Sequence, residues 1–190
     1  MQLVYYRGTG ECRASKWVSE PALLTSLMEK VMCRAGETQI LRVLEHAQKE
    51  NGSGKVSALV FVGDACEESR DELAVAAAAL GRAGVPAFMF QEGDNGSVKR
   101  VFCEIADHTR GAYGSFNTGA ANQLRELLRA VAVFAAGGLK ALEDSGTARK
   151  LIAQLKRDHP LPQTRRLRGI YVKFSGRSNS EKLRKGPKGR

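Results

Sequence analysis

No long hydrophobic run occurs in this chain. The longest apolar stretches, Ala58–Val62, Leu73–Leu80 and Leu127–Ala136, fall well short of the ~18 residues that a membrane span needs. Met1 is followed by neither a basic segment nor an apolar one of signal-peptide length, since Gln2 to Arg7 is short and mixed. Both absences turn the reading away from membrane and secreted classes and towards the cytoplasm. Close cysteine pairs are missing too. Cys12, Cys33, Cys66 and Cys103 are widely spaced, with no C-x-x-C and no Cys/His spacing of a zinc site. In a chain without an export signal they read as reduced, small and mostly buried side chains.

Catalytic signatures are equally scarce. There is no G-x-x-x-x-G-K-[ST] and no G-x-S-x-G. The turn Gly8-Thr-Gly10 lacks the third glycine of a dinucleotide fingerprint, and Ser19-Glu-Pro21, rather than those glycines, opens the next helix. His46, His108 and His159 lie in helical or tail contexts without a nucleophile nearby, and His46 reads as a helix-surface residue. No catalytic residue is assigned, and the chain is not expected to be an enzyme.

Positive charge is present, and it is unevenly placed. The 190 residues carry a net +10. Residues 149–190 hold 14 Lys or Arg against Asp158 and Glu181, a net +12, which leaves the first 148 residues slightly acidic. With 43% hydrophobic residues, that first part is large enough for one core.

The apolar pattern alternates between strand and helix. Gln2–Tyr6 reads as a strand, with Cys12–Val18 returning as a hairpin partner. Ser19 is a plausible N-cap for a helix beginning at Pro21, and Gly36 breaks that helix. A second helix is expected from about Glu37 to Glu50. Ser57–Gly63 has the all-apolar look of a buried parallel strand. Helix Glu68–Leu80 follows, ended by Gly81 and Gly84. Strand Val85–Phe90, helix Val98–His108, strand Gly111–Phe116 and helix Asn117–Ala136 complete the rhythm. It implies an α/β fold, a mainly parallel sheet with helices on both faces. The chain divides into a domain over 1–138, a linker with a short helix over 139–160, and a basic tail over 161–190. That tail reads as disordered apart from the strand-like Ile170–Phe174.

Ligands of such sheets bind beyond the carboxyl ends of the strands. The candidates there are Thr38, Asp64, Cys66, Glu67, Glu68, Gln91, Glu92 and Asn117. Asp64 follows a buried strand directly, a position suited either to a hard cation or to capping the next helix.

Gln2–Gly8, Glu11–Trp17, Gly36–Ile40, Ala58–Asp64 and Val85–Gly93 together resemble a group of uncharacterised bacterial proteins that contain a von Willebrand factor type A domain. The resemblance covers roughly Gln2 to Gly138. It implies a three-layer, doubly wound Rossmann-like sheet and a metal-ion-dependent adhesion site for Mg²⁺. That site is built from D-x-S/T-x-S after the central first strand, a Thr in a later loop and an Asp after a later strand. Thr38 matches the second segment and Asp64 the third. The first has no counterpart near the N-terminus, because by the resemblance the chain begins at the family's second strand. A strand between Gln2–Tyr6 and Ser57–Val62 is then missing, which is expected to make a form extended upstream the more stable. Two oxygen ligands fall short of the near-octahedral shell Mg²⁺ demands, so metal binding is expected to be weak or absent.

The reading is a non-enzymatic protein-binding module with an incomplete adhesion site, its unknown partner engaged at the carboxyl edge of the sheet. The alternative is nucleic-acid association through the tail, where Arg165, Arg166, Arg168, Lys182, Arg184 and Lys185 would neutralise phosphates. No amphipathic apolar face or lipidation motif accompanies these charges, so a membrane partner is not expected.

Overall fold

The computed structural model describes residues 1–32, 36–54, 56–117, 119–145 and 170–174. Among the described residues, six strands form one sheet: β1 Gln2–Arg7, β2 Glu11–Ala14, β3 Ala58–Gly63, β4 Ala87–Glu92, β5 Ala112–Phe116 and β6 Ile170–Phe174. Their spatial order is β2-β1-β6-β3-β4-β5. Only β2 runs antiparallel; the pairs β1–β6, β6–β3, β3–β4 and β4–β5 are parallel.

Among the described residues, five helices accompany the sheet: α1 Pro21–Glu29, α2 Ile40–Asn51, α3 Arg70–Arg82, α4 Gly96–Thr109 and α5 Ala121–Asp144. They cover both faces because successive side chains of each strand point to opposite sides. Leu59 and Phe61 of β3 face a core shared with Leu44 of α2, Leu73 of α3 and Phe102 of α4. Val60 and Val62 face the other core, with Leu24 of α1 and Phe134 of α5. An edge-to-face ring contact marks each side, Phe61–Phe102 at 5.4 Å and Phe88–Phe134 at 5.2 Å. All six residues of β3 are buried, as its unbroken apolar run requires.

The expected gap between Gln2–Tyr6 and Ser57–Val62 is filled. Tyr171 of β6 stands level with Gln2 on one side and Leu59 on the other, and Phe174 with Tyr5 and Val62. The strand character expected at Ile170–Phe174 is realised inside the sheet, apart in sequence from the domain expected over 1–138, and its backbone satisfies the ladders of two neighbours at once. Backbone groups inside a sheet need partners whatever the sequence distance to them. The short helix expected over Thr147–Arg157 lies outside the described residues.

Element boundaries also shift for local reasons. Glu20, not Ser19, occupies the N-cap of α1, and no side chain caps it. Gly81 lies inside α3 rather than ending it. A Cβ there would sit 2.1 Å from the His108 carbonyl oxygen, so the glycine lets α3 lie against the end of α4. α5 runs past the expected stop to Asp144, interrupted at Gly138 by φ 70 and ψ −163.

Candidate functional site

The carboxyl ends of β1, β6, β3, β4 and β5 open on one side of the sheet, and the turns leaving them gather the residues singled out by sequence. The loop before α2 is pressed against the β1–β2 turn. A Cβ on Gly36 would come within 2.2 Å of the Gly8 carbonyl oxygen. Two residues on, Thr38 is 7% exposed. Its hydroxyl accepts from the Glu67 backbone N–H at 3.1 Å, and its own N–H donates to the Glu67 carboxylate at 3.1 Å. Glu67 follows Asp64 by three residues, so this reciprocal pair draws Thr38 to the loop that leaves β3.

The neighbouring Glu68 does different work. Its carboxylate accepts from the Ile40 and Leu41 N–H groups, the latter at 2.9 Å. It caps α2 from another segment of chain, which explains why that helix starts at Ile40 rather than near Glu37. Negative charge at a helix N-terminus is favourable. Cys66 is half-buried between these acids. Burial pushes its thiol above the ordinary range; the Glu68 backbone N–H pulls it back, and the Glu68 and Glu67 charges push it further up. It is therefore no activated nucleophile.

Asp64 is half-buried just past the end of β3, and its carboxylate makes no hydrogen bond or ion pair to any described residue. Sequence reasoning left a capping role open for it. The structure puts Ser69 at the N-cap of α3 with no side-chain cap bond, so Asp64 does not cap that helix.

The other candidates form a separate brace around β4 and β5. Gln91 is fully buried, donates to the Asn95 carbonyl and accepts from the Tyr113 hydroxyl, each at 2.9 Å. Glu92 accepts from the Gly119 N–H at 3.3 Å, and the Asn117 N–H donates to Gln123 Oε1 at 3.0 Å. Asn95 caps α4 through its side chain. These groups are spent on holding loops.

His46 is not the plain surface residue expected. It is half-buried and its Nε2 lies 3.2 Å from Gln2 Oε1 on β1. Cys12, Cys66 and Cys103 form no disulfide with one another and are half-buried rather than mostly buried. Cys33 and all six basic tail candidates (Arg165, Arg166, Arg168, Lys182, Arg184 and Lys185) lie outside the described residues.

As a cation site, this edge offers hydroxyl and carboxylate oxygens, the donor type hard ions prefer. Thr38 Oγ1 already accepts one hydrogen bond, so with Asp64 it supplies two direct ligands where Mg²⁺ takes six. Among the described residues no group of three or more His, Cys, Asp or Glu is placed to hold an ion. These two residues alone do not fit a resident Mg²⁺. No helix among the described residues is long and apolar enough to cross a membrane. Comparison of the chain with protein-family models, with curated proteins and with solved structures gives no match.

Proposed function

We propose that the chain is a non-enzymatic, cytoplasmic protein-binding module of the von Willebrand factor A type, Rossmann-like in layout. It engages a partner protein at the carboxyl edge of its sheet through a degenerate adhesion site. The Asp64 carboxylate, which makes no hydrogen bond or ion pair to any described residue and lies three residues before Glu67 on the loop that Thr38 is tied to, carries this reading. The place of β6 supports it further. β6 stands centrally between β1 and β3, as the family's first strand would, and the sequence after it reads Gly176-Arg-Ser178-Asn-Ser180. That is the D-x-S-x-S spacing with both hydroxyls and with glycine in place of aspartate. A site lacking that carboxylate binds its partner through direct polar contacts, with Mg²⁺ adding little. Pull-down from a native extract tests this, comparing the chain with Asp64→Ala. Loss of specific partners with the variant is expected, and identical partners from both would refute the role of the edge.

A second reading rests on the separation of charge, +12 over residues 149–190 on a chain otherwise near neutral. In it the tail binds nucleic acid without sequence preference. Because Ile170–Phe174 belongs to the sheet, the tail is best neutralised rather than deleted. Replacing Arg165, Arg166, Arg168, Lys182, Arg184 and Lys185 by Gln should abolish duplex DNA binding at low salt. Retained binding removes this reading.

A further inference from the structure

The margin of the sheet opposite β5 carries features that the carboxyl edge does not use. β2 is the last strand there, paired only with β1 among the described residues. The Ser15 N–H donates to the Leu3 carbonyl at 2.8 Å. In an antiparallel ladder, bonded and non-bonded pairs alternate. Val4–Ala14, the next pair in register, is therefore non-bonded, and the N–H and C=O of Ala14 turn outward. Beside this margin runs an open groove of about 470 Å³, with Val4 and Cys12 at its base and one stripe of α2 as its wall. That stripe is Arg42, Glu45, His46 and Lys49, spaced as one helix face requires. Arg13 contributes only backbone to this margin, since its side chain shares the opposite face with Tyr5 and is ion-paired with Glu11 at 2.7 Å.

We propose that this groove receives an extended acidic peptide of a partner protein, which adds a strand to β2 and lays its carboxylates against Arg42 and Lys49. Strand addition supplies affinity through main-chain bonds, while pockets for alternate side chains supply specificity. The charge fits such an occupant. Two cationic side chains, Arg42 and Lys49, face one carboxylate, that of Glu45, and burial holds His46 below its ordinary value, so it adds no charge. Arg42 spends Nη1 on the Gly10 carbonyl and on Gln39 Oε1. The rest of its guanidinium fork is left to meet a carboxylate. Arg42 and Lys49 stand seven residues apart, about 10.5 Å along the helix axis. Carboxylates two or four residues apart on an extended chain span roughly 7 or 13 Å and bracket that distance. A second copy fits worse, because two-fold pairing of β2 with its image would set these cations against themselves. This inference does not depend on Asp64 or the carboxyl edge.

The probe is a fluorescein-labelled peptide of alternating Val and Glu, followed by anisotropy with the full chain at low salt. A peptide of alternating Val and Lys is the control. Saturable binding of the acidic probe alone is expected. Lys49→Glu, and Arg42→Glu with Lys49→Glu, should each weaken it at least tenfold, while Lys99→Glu on α4, the same charge change elsewhere, should not. Ala14→Pro removes the outward N–H without touching the ladder to β1 and should also weaken binding at least tenfold. Circular dichroism establishes folding of each variant. If loss of the Arg42 contacts unfolds the double variant, Lys49→Glu alone decides the charge requirement. Equal binding of the basic peptide overturns the proposal. So does charge dependence without any effect of Ala14→Pro, which would mark a general polyanion surface such as one for nucleic acid. Self-association abolished by Ala14→Pro would assign the margin to a second copy, and likewise overturn it.

Discussion

Thr38 and Glu67 bind each other twice, hydroxyl to backbone and backbone to carboxylate, across 29 residues of sequence. The link ties the loop before α2 to the loop after β3, and Glu68 extends it into the first turn of that helix. The edge that carries Asp64 is thus stiffened by acids whose role is structural.

Glu68→Ala leaves the Ile40 and Leu41 N–H groups without their acceptor. Loss of a helix cap costs about 1–2 kcal/mol. For a chain of this size that is roughly 2–8 °C in melting temperature. Glu68→Gln, which keeps one acceptor oxygen, should recover part of the loss. A thermal melt unchanged by the alanine variant would show that the cap contributes nothing.

Gly81→Ala should destabilise even though alanine favours helices by about 1 kcal/mol over glycine. The added methyl meets the His108 carbonyl, and α3 must move away from α4. Gly96→Ala at the start of α4 meets nothing within 4 Å and should be neutral or stabilising. Denaturant midpoints of the two variants, shifting in opposite directions, are the expected result.

Val172→Pro places a residue with no N–H in the middle of a strand paired on both sides. Proline does not belong in a central strand. Each buried partner left unsatisfied costs about 1–3 kcal/mol. A clear fall in melting temperature is expected, and an unchanged melt would mean that β6 is dispensable.

His46 gives the fold an acid sensitivity. Burial is the main cause that lowers its imidazole below the ordinary 6.5; nearby Glu50 opposes and Lys49 assists. The unfolded chain therefore takes up the proton first, and stability falls as pH drops through 6.5 and continues to fall until the folded imidazole is protonated. His46→Gln should flatten the dependence of melting temperature on pH between about 7 and 5. An identical slope in both proteins would place the sensitivity elsewhere.

Much of the architecture was legible. The fully apolar Ala58–Val62 has one reading, and of the stripe Ile40, Leu41, Leu44 and Ala47 all but the partly buried Leu41 are buried on α2. What escaped was decided at a distance. The start of α2 depends on a carboxylate 27 and 28 residues away, which no local capping signal reveals. Gly81 reads as a helix stop until α4 is seen to need its missing side chain. Ile170–Phe174 showed strand character, but its place between β1 and β3 depends on pairing that periodicity does not encode. Asp64 was found because strand ends in such sheets are predictable; Glu67 and Glu68 were found with it, and only geometry separates their duties.

The central position of β6 also sets a clock. Gln2 of β1 leaves the ribosome some 169 residues ahead of its neighbour Tyr171. At ordinary synthesis rates that interval is on the order of ten to thirty seconds. Throughout it, β1 with its hairpin and the β3–β4–β5 half each present an open inner margin, the kind of unpaired edge that recruits other chains. Until β6 follows, the nascent protein carries both margins open.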